Sequence, residues 1–419
     1  MIDTSWTVAL GAGLYGLPAG GFLDTLADRM PLLTLEGRMA PLRRIARWTS
    51  VLLVVAAALG PVPAGSVTRG GGLPGERNLA MTEPQQDSRQ LAGRRIVLSY
   101  PGPTPPPGVL RAIREGRAAG VILFGENVTG PAQLAEAVAA LKQAAAEAPG
   151  TRPLLLMTDQ EGGRVRRLPG APELSARRTG TAPDPLAAAV DSGVGAAGTL
   201  GDAGLNVNLA PVLDVYDTPG NFIDRHERSY GQDPAAVGEL GSAFLAAQQS
   251  RGVAATAKHF PGLGAAASDE NTDARPVTLP VSLDRLRSRD EAPYRAAIAA
   301  GVRLVMASWA VYPALDPDRP AGLSPAVVQG ELRERLGFDG VTVTDALEAG
   351  ALTPYGPTGP RAVAAAAAGM DLILCSARDP QQGEDATTAL AAALDSGGLD
   401  RAAFTEAVAR VDALREGLG

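Results

Sequence analysis

The chain has 419 residues, 45% of them hydrophobic and 20% charged, which is enough to bury a large core, and its formal net charge of −7 gives no reason to expect a nucleic-acid partner. A single cysteine, Cys375, excludes an intrachain disulfide and any cysteine-based metal cluster. Lys142 and Lys258 are the only lysines, so a lysine placed directly beside His259 in a chain that otherwise uses arginine points to a specific chemical need for the compact ammonium.

The N-terminal segment carries an address. Met39 opens a basic stretch through Arg43, Arg44 and Arg47, followed by an apolar run over 51–59 and then Val62-Pro63-Ala64. That is the layout of a secretory signal peptide over 39–64, cut near Ala64, and the run is short for a membrane span. Residues 1–38 then read as a mis-called extension upstream of the true start; the alternative is an N-terminal membrane anchor. The protein is thus expected outside the cell or in its envelope. A linker rich in Gly, Pro and Gln is expected over 65–90, and one catalytic domain over 91–419.

From there the sequence alternates two kinds of segment. Apolar, β-type runs fall at 96–100, 121–124, 154–157, 207–215, 253–257, 304–307, 341–344 and 372–374. Segments rich in Ala, Leu, Glu and Arg lie between them, at 107–118, 131–147, 186–203, 234–249, 283–300, 325–336 and 359–368, with two more at 384–395 and 401–416. Eight strands and eight or more helices in alternation predict an α/β fold, the (β/α)₈ TIM-type barrel. An open doubly wound sheet would show a Gly-rich phosphate loop after its first strand; here that strand runs into a proline-rich turn, which has few N–H groups to offer a phosphate. A self-contained barrel is expected to be a monomer.

In such a barrel the strands end at the functional face. Strand three leads to Asp159, Glu161 and Arg164; strand four to Asp214 and a loop with Arg225, His226 and Arg228; strand five to Lys258 and His259; strand six to Trp309; strand seven to Asp345. Carboxylates and cations together bracket hydroxyl groups, and an aromatic ring stacks on an apolar sugar face, so a polyhydroxylated neutral ligand suits this mouth. Asp345, just past a buried strand, has the fixity that a carboxylate nucleophile needs, and nearby cations favour its charged form.

These motifs resemble glycoside hydrolase family 3 and, within it, the bacterial β-N-acetylhexosaminidases of cell-wall turnover. The pieces are Asp159-Gln160-Glu161-Gly162-Gly163-Arg164-Val165, Asn208-Leu209-Ala210-Pro211-Val212-Leu213-Asp214, Arg228-Ser229-Tyr230-Gly231, Lys258-His259-Phe260-Pro261-Gly262, Tyr312-Pro313-Ala314-Leu315-Asp316, and Leu336-Gly337-Phe338-Asp339-Gly340 before Thr344-Asp345. The resemblance implies a retaining mechanism on terminal β-linked sugars of cell-wall glycans, with no cofactor and no metal. It implies Asp345 as nucleophile, and Asp159, Arg228, Lys258 and His259 as the grip on the terminal sugar; Asp214 and Trp309 are further binding candidates from their places at strand ends.

One loop departs from that pattern. Family members continue after Lys-His-Phe-Pro-Gly with a histidine and then an Asp-Ser-His whose Asp and His form the acid/base pair. This chain has Leu263 in place of the first histidine, and Asn271 where the catalytic one is expected. A general acid contributes roughly 10²–10⁴-fold, and Asn cannot supply it. Three readings follow. A carboxylate of the same loop takes over, with Glu270 preferred to Asp269 and Asp273 for its reach; or the barrel binds glycan without turnover; or the enzyme favours substrates whose leaving group or acceptor needs little acid assistance.

Overall fold

The computed structural model describes residues 87–418. The expected extension, signal peptide and nearly all of the linker lie outside the described residues. The folded unit begins slightly before residue 91, because a helix at Ser88–Gly93 buries Leu91 and Ala92, and Ser88 Oγ donates to Asp395 Oδ1 at 2.5 Å.

Eight strands form the barrel: β1 Ile96–Leu98, β2 Gly120–Ile122, β3 Leu155–Thr158, β4 Val207–Asn208, β5 Ala254–Phe260, β6 Leu304–Ala307, β7 Val341–Thr344 and β8 Ile373–Leu374. Their order is β7-β6-β5-β4-β3-β2-β1-β8, every pairing parallel. The ring closes where Leu372 N donates to Thr342 O at 2.9 Å and Thr344 N to Leu372 O at 3.0 Å. This is the TIM-type barrel that the alternation of segments predicts. Its interior is filled by Val97, Ile122, Leu155, Met157, Val207, Ala254, Leu304, Met306, Val341 and Val343, all buried.

Local chemistry sets the outer helices. Pro185–Asp202, Pro234–Gln249 and Pro380–Asp395 each start with Pro directly after an Asp whose carboxylate accepts a backbone N–H of the first turn. Pro fixes the entry torsion while Asp satisfies an otherwise unpaired donor. The expected helix over 283–300 is broken into Leu283–Arg285, a π-helical turn Leu286–Asp290, and Ala292–Ala299. Pro293, at the start of the last piece, has no N–H to continue the ladder. The segment Ala326–Arg335 is likewise π-helical.

Two strands differ usefully from expectation. Strand β4 is expected to run to 215 but its regular ladder ends at Asn208, since Pro211 has no N–H to donate; beyond it the chain stays bonded to β5 irregularly, Thr256 N donating to Ala210 O at 2.9 Å, Lys258 N to Pro211 O at 3.2 Å and Leu213 N to Lys258 O at 2.7 Å. Strand β5 runs further than its apolar residues suggest, reaching Phe260 with a bulge between Lys258 and Phe260 against β6. Lys258 and His259 therefore sit on rigid sheet, not in a loop. Among the described residues no helix is long and apolar enough to cross a membrane.

Candidate active site

A cavity of about 450 Å³ opens at the C-terminal ends of the strands, lined by Asp159, Glu161, Arg228, Lys258, His259, Asp273 and Asp345 among others. Six positions proposed from sequence are brought together there: Asp159, Arg228, Lys258, His259, Asp273 and Asp345.

The buried centre is an ion network. Lys258 Nζ donates to Asp159 Oδ1 at 2.7 Å and lies 2.6 Å from Glu161 Oε1. Arg228 holds Glu161 with two parallel bonds, Nε to Oε2 at 2.9 Å and Nη2 to Oε1 at 2.8 Å. Burial works against the charge of Glu161, but Arg228 and Lys258 outweigh it and hold the carboxyl far below the usual range. Burial also disfavours the Lys258 ammonium, yet Asp159 and Glu161 raise it above the ordinary lysine value. Lys258 is thus a fixed cation at the cavity floor. Glu161 was legible at the end of strand three, but its role was not: only the fold shows that it is the shared counter-ion of Arg228 and Lys258. The glycine pair makes this possible. Gly162 and Gly163 adopt φ 110° and 55°, and a side chain on Gly162 would collide with the Leu174 carbonyl.

His259 is held in one tautomer by its partners. Asp214 Oδ2 accepts from Nδ1 at 2.7 Å, while Arg228 Nη2, which can only donate, lies 3.3 Å from Nε2. Asp214 also accepts from Leu263 N at 2.7 Å and is fully buried. It does not line the cavity, so its expected contact with sugar is replaced by a place behind His259. Trp309 is corrected in the same way. It is 1% exposed and donates from Nε1 to Ala346 O at 2.8 Å, supporting the residue after Asp345 instead of presenting a stacking face.

Asp345 stands at the end of β7 with Oδ1 accepting from Ala346 N at 2.7 Å. Of the three loop carboxylates, only Asp273 lines the cavity. Glu270, preferred from its length, folds back so that Oε2 accepts from Ala267 N at 2.7 Å; Asp269 is outside, paired with Arg275 Nη2 at 2.9 Å. Asp273 is positioned by a turn in which Asn271 Oδ1 accepts from Asp273 N at 2.9 Å. The loop is also docked onto the segment after β7, where Gly350 N donates to Asp273 O at 2.8 Å and Ala351 N to Thr272 O at 2.9 Å. A side chain on Gly350 would strike the Ala274 carbonyl, so glycine permits the approach. The Asp273 side chain still reaches solvent at the rim, but enough protein surrounds it that desolvation, and then the charge of Asp345, raise its pKa.

The rim is completed by His226 of the strand-four loop and by residues that went unrecognised in the sequence, Arg167 and Glu348 near the strand-three and strand-seven ends, Phe124 after β2 and Arg378 after β8. For Phe124 and Arg378, which belong to no polar cluster, proximity in the fold was the only signal.

Residues 108–414 match the Glycosyl hydrolase family 3 N terminal domain. The chain is 47% identical over 329 residues to an uncharacterized secreted glycosyl hydrolase of Arthroderma benhamiae, covering 78% of this chain and 93% of that one. It is 35% identical over 269 residues to a beta-hexosaminidase of Stenotrophomonas maltophilia, covering 62% and 77%. Among solved structures, a family 3 beta-N-acetylglucosaminidase from Paenibacillus superposes with a TM-score of 0.74 at 37% identity, over 79% of this chain and 62% of that one. A beta-N-acetylhexosaminidase from Beutenbergia cavernae gives 0.73 at 34% identity, over 80% and 99%. The barrel, this family match and these relatives mark the chain as a glycosidase. The chain belongs to glycosyl hydrolase family 3, and its relatives include the hexosaminidase-type members that its motifs resemble.

Proposed function

We propose that the protein is a retaining β-N-acetylhexosaminidase in which Asp345 is the nucleophile and Asp273 the acid/base. The observation that carries this is the docking of the Asp273 loop onto the segment that follows Asp345, which sets both carboxyls at one cavity beside the sugar-binding ions. In the first step a carboxylate oxygen of Asp345 bonds to the anomeric carbon as the glycosidic bond breaks, and protonated Asp273 gives its proton to the leaving oxygen. In the second, Asp273 takes a proton from water as the water oxygen displaces Asp345.

The electrostatics suit both roles. While Asp345 is charged, it and desolvation help Asp273 keep its proton. Once Asp345 is an uncharged ester, that repulsion is gone and Asp273 ionises more readily, as a base must. Asp159, Arg228, Lys258 and His259 hold the hydroxyls of the terminal sugar. N-acetylglucosamine is the sugar suggested by the relatives' names, and cell-wall glycan is the source that the motif resemblance suggests. Export through the signal at 39–64 accords with a relative described as secreted. With Asp273 available as acid, no feature of the site favours binding without turnover.

The test uses aryl N-acetyl-β-glucosaminides of graded leaving-group acidity. Asp273→Asn should lower kcat/KM by about 10²–10⁴-fold for poor leaving groups and little for dinitrophenyl, whereas Asp345→Ala should abolish both. Equal losses across the series for Asp273→Asn would remove it as acid.

A further inference from the structure

The terminal-sugar grip is centred on β4: Asp159 follows β3, Arg228 lies in the loop after β4, and Lys258 and His259 are on β5. Asp345 follows β7. A sugar held by its hydroxyls at β3–β5, with its anomeric carbon at Asp345, points its leaving group across the mouth. In an eight-stranded ring the position opposite β4 is β8, and there Arg378 stands.

Arg378 is built into that wall with unusual care. Its guanidinium lies over the Phe124 ring, 4.4 Å from the centroid, and Nε pairs with Glu126 Oε1 at 2.9 Å. The stack therefore bridges the exits of β8 and β2. Phe124 is itself held, since its N–H donates to Asn127 Oδ1 at 2.7 Å, and the buried Asn127 amide ties back to Tyr100 O at 3.0 Å and Gly102 O at 2.6 Å. The Arg378 backbone has φ 60°, a left-handed conformation that glycine adopts without strain and arginine does not, and its N–H donates to Ser99 Oγ at 2.9 Å. A side chain kept at an energetic disadvantage, half exposed at the cavity rim and not needed for the terminal-sugar grip, calls for a functional explanation.

We propose that Arg378, stacked on Phe124, is a specificity residue that binds the leaving-group sugar, so that the natural substrate is a disaccharide or longer glycan whose second pyranose lies on the β8–β2 wall. The guanidinium has donors for the hydroxyl and ring oxygens of that sugar, and the stack fixes the direction in which they point. This rests on Asp345 as nucleophile, and the two ideas fail differently.

The experiment compares kcat/KM for N,N′-diacetylchitobiose with that for an aryl N-acetyl-β-glucosaminide in the full chain and in Arg378→Gly. Glycine suits φ 60°, so Tm should hold or rise while the side chain is lost. The expected result is a fall of about 10- to 100-fold for the disaccharide, the size of a lost charged hydrogen bond, and less than twofold for the aryl glycoside. Arg378→Lys should recover only part of the loss. Equal effects on both substrates, or none on the disaccharide, would overturn the proposal. Full activity on both substrates in Asp345→Ala would instead overturn the nucleophile assignment.

Discussion

At the residue scale, the site works because its charges are matched in pairs that no single residue could sustain. Glu161 pairs with both Arg228 and Lys258 with its side chain only 6% exposed, so Glu161→Gln would take the carboxylate from Arg228 and leave Lys258 with Asp159 alone. Breaking a buried pair in this way costs about 3–5 kcal/mol, which a denaturant titration at neutral pH would register alongside a raised KM. The pH dependence follows from the sign of the shift. The folded state holds Glu161 far below its ordinary value of 4.5, so its contribution to stability is complete above that value and is lost progressively as pH falls from there toward the depressed folded value. Wild type should therefore lose stability on acidification more steeply than Glu161→Gln. Asp273 shifts the other way, and its retained proton should carry the alkaline limb of the kcat/KM profile, displaced upward from that of an unperturbed aspartate. The limb should vanish in Asp273→Asn. Sequence made Asp159, Arg228, Lys258, His259 and Asp345 legible, since polar residues at strand ends have few other uses. It could not choose among Asp269, Glu270 and Asp273, because side-chain length says nothing of where a loop turns: Asn271 caps the turn that sends Asp273 inward and leaves Glu270 bonded to its own backbone.

At the element scale, a rigid strand holds two of the proposed sugar-binding residues, Lys258 and His259, while a docked loop brings Asp273, the proposed acid. Lys258 and His259 lie within β5, and Trp309 props the segment after β7 through Ala346. Trp309→Phe keeps most of the packing but removes that bond, worth about 0.5–1.5 kcal/mol. The expected outcome is a fall in kcat of about 2- to 10-fold with KM little changed, measured with one aryl substrate. The outer helices answer to their caps. Asp184→Ala, Asp233→Ala and Asp379→Ala should each cost about 1 kcal/mol, read as additive losses in chemical denaturation because the three caps are separate. The strand positions could be read from apolar runs bounded by turn residues. The interruption of β4 at Pro211 and the π-helical turns were harder to see, as they depend on which neighbour supplies each hydrogen bond.

At the scale of the whole molecule, alternation of strand and helix was sufficient to identify the barrel, since eight buried parallel strands in sequence order have few other ways to close. The cavity rim at Phe124 and Arg378 was not, because β2 and β8 are far apart in sequence and their exits come within side-chain reach only once both strands pair with β1. The proposed signal over 39–64 places the mature N-terminus near residue 65, and N-terminal sequencing of exported protein would verify it; a protein retaining 39–64 would favour an anchor. The central claim, a glycosyl-enzyme on Asp345 served by Asp273, is tested most directly by mass spectrometry of Asp273→Asn reacted with dinitrophenyl N-acetyl-β-glucosaminide. The good leaving group needs no acid, but hydrolysis lacks its base, so a covalent N-acetylhexosaminyl adduct should accumulate on the peptide containing Asp345. Absence of any adduct while the aryl alcohol is released and turnover continues, or an adduct on another residue, would contradict the account.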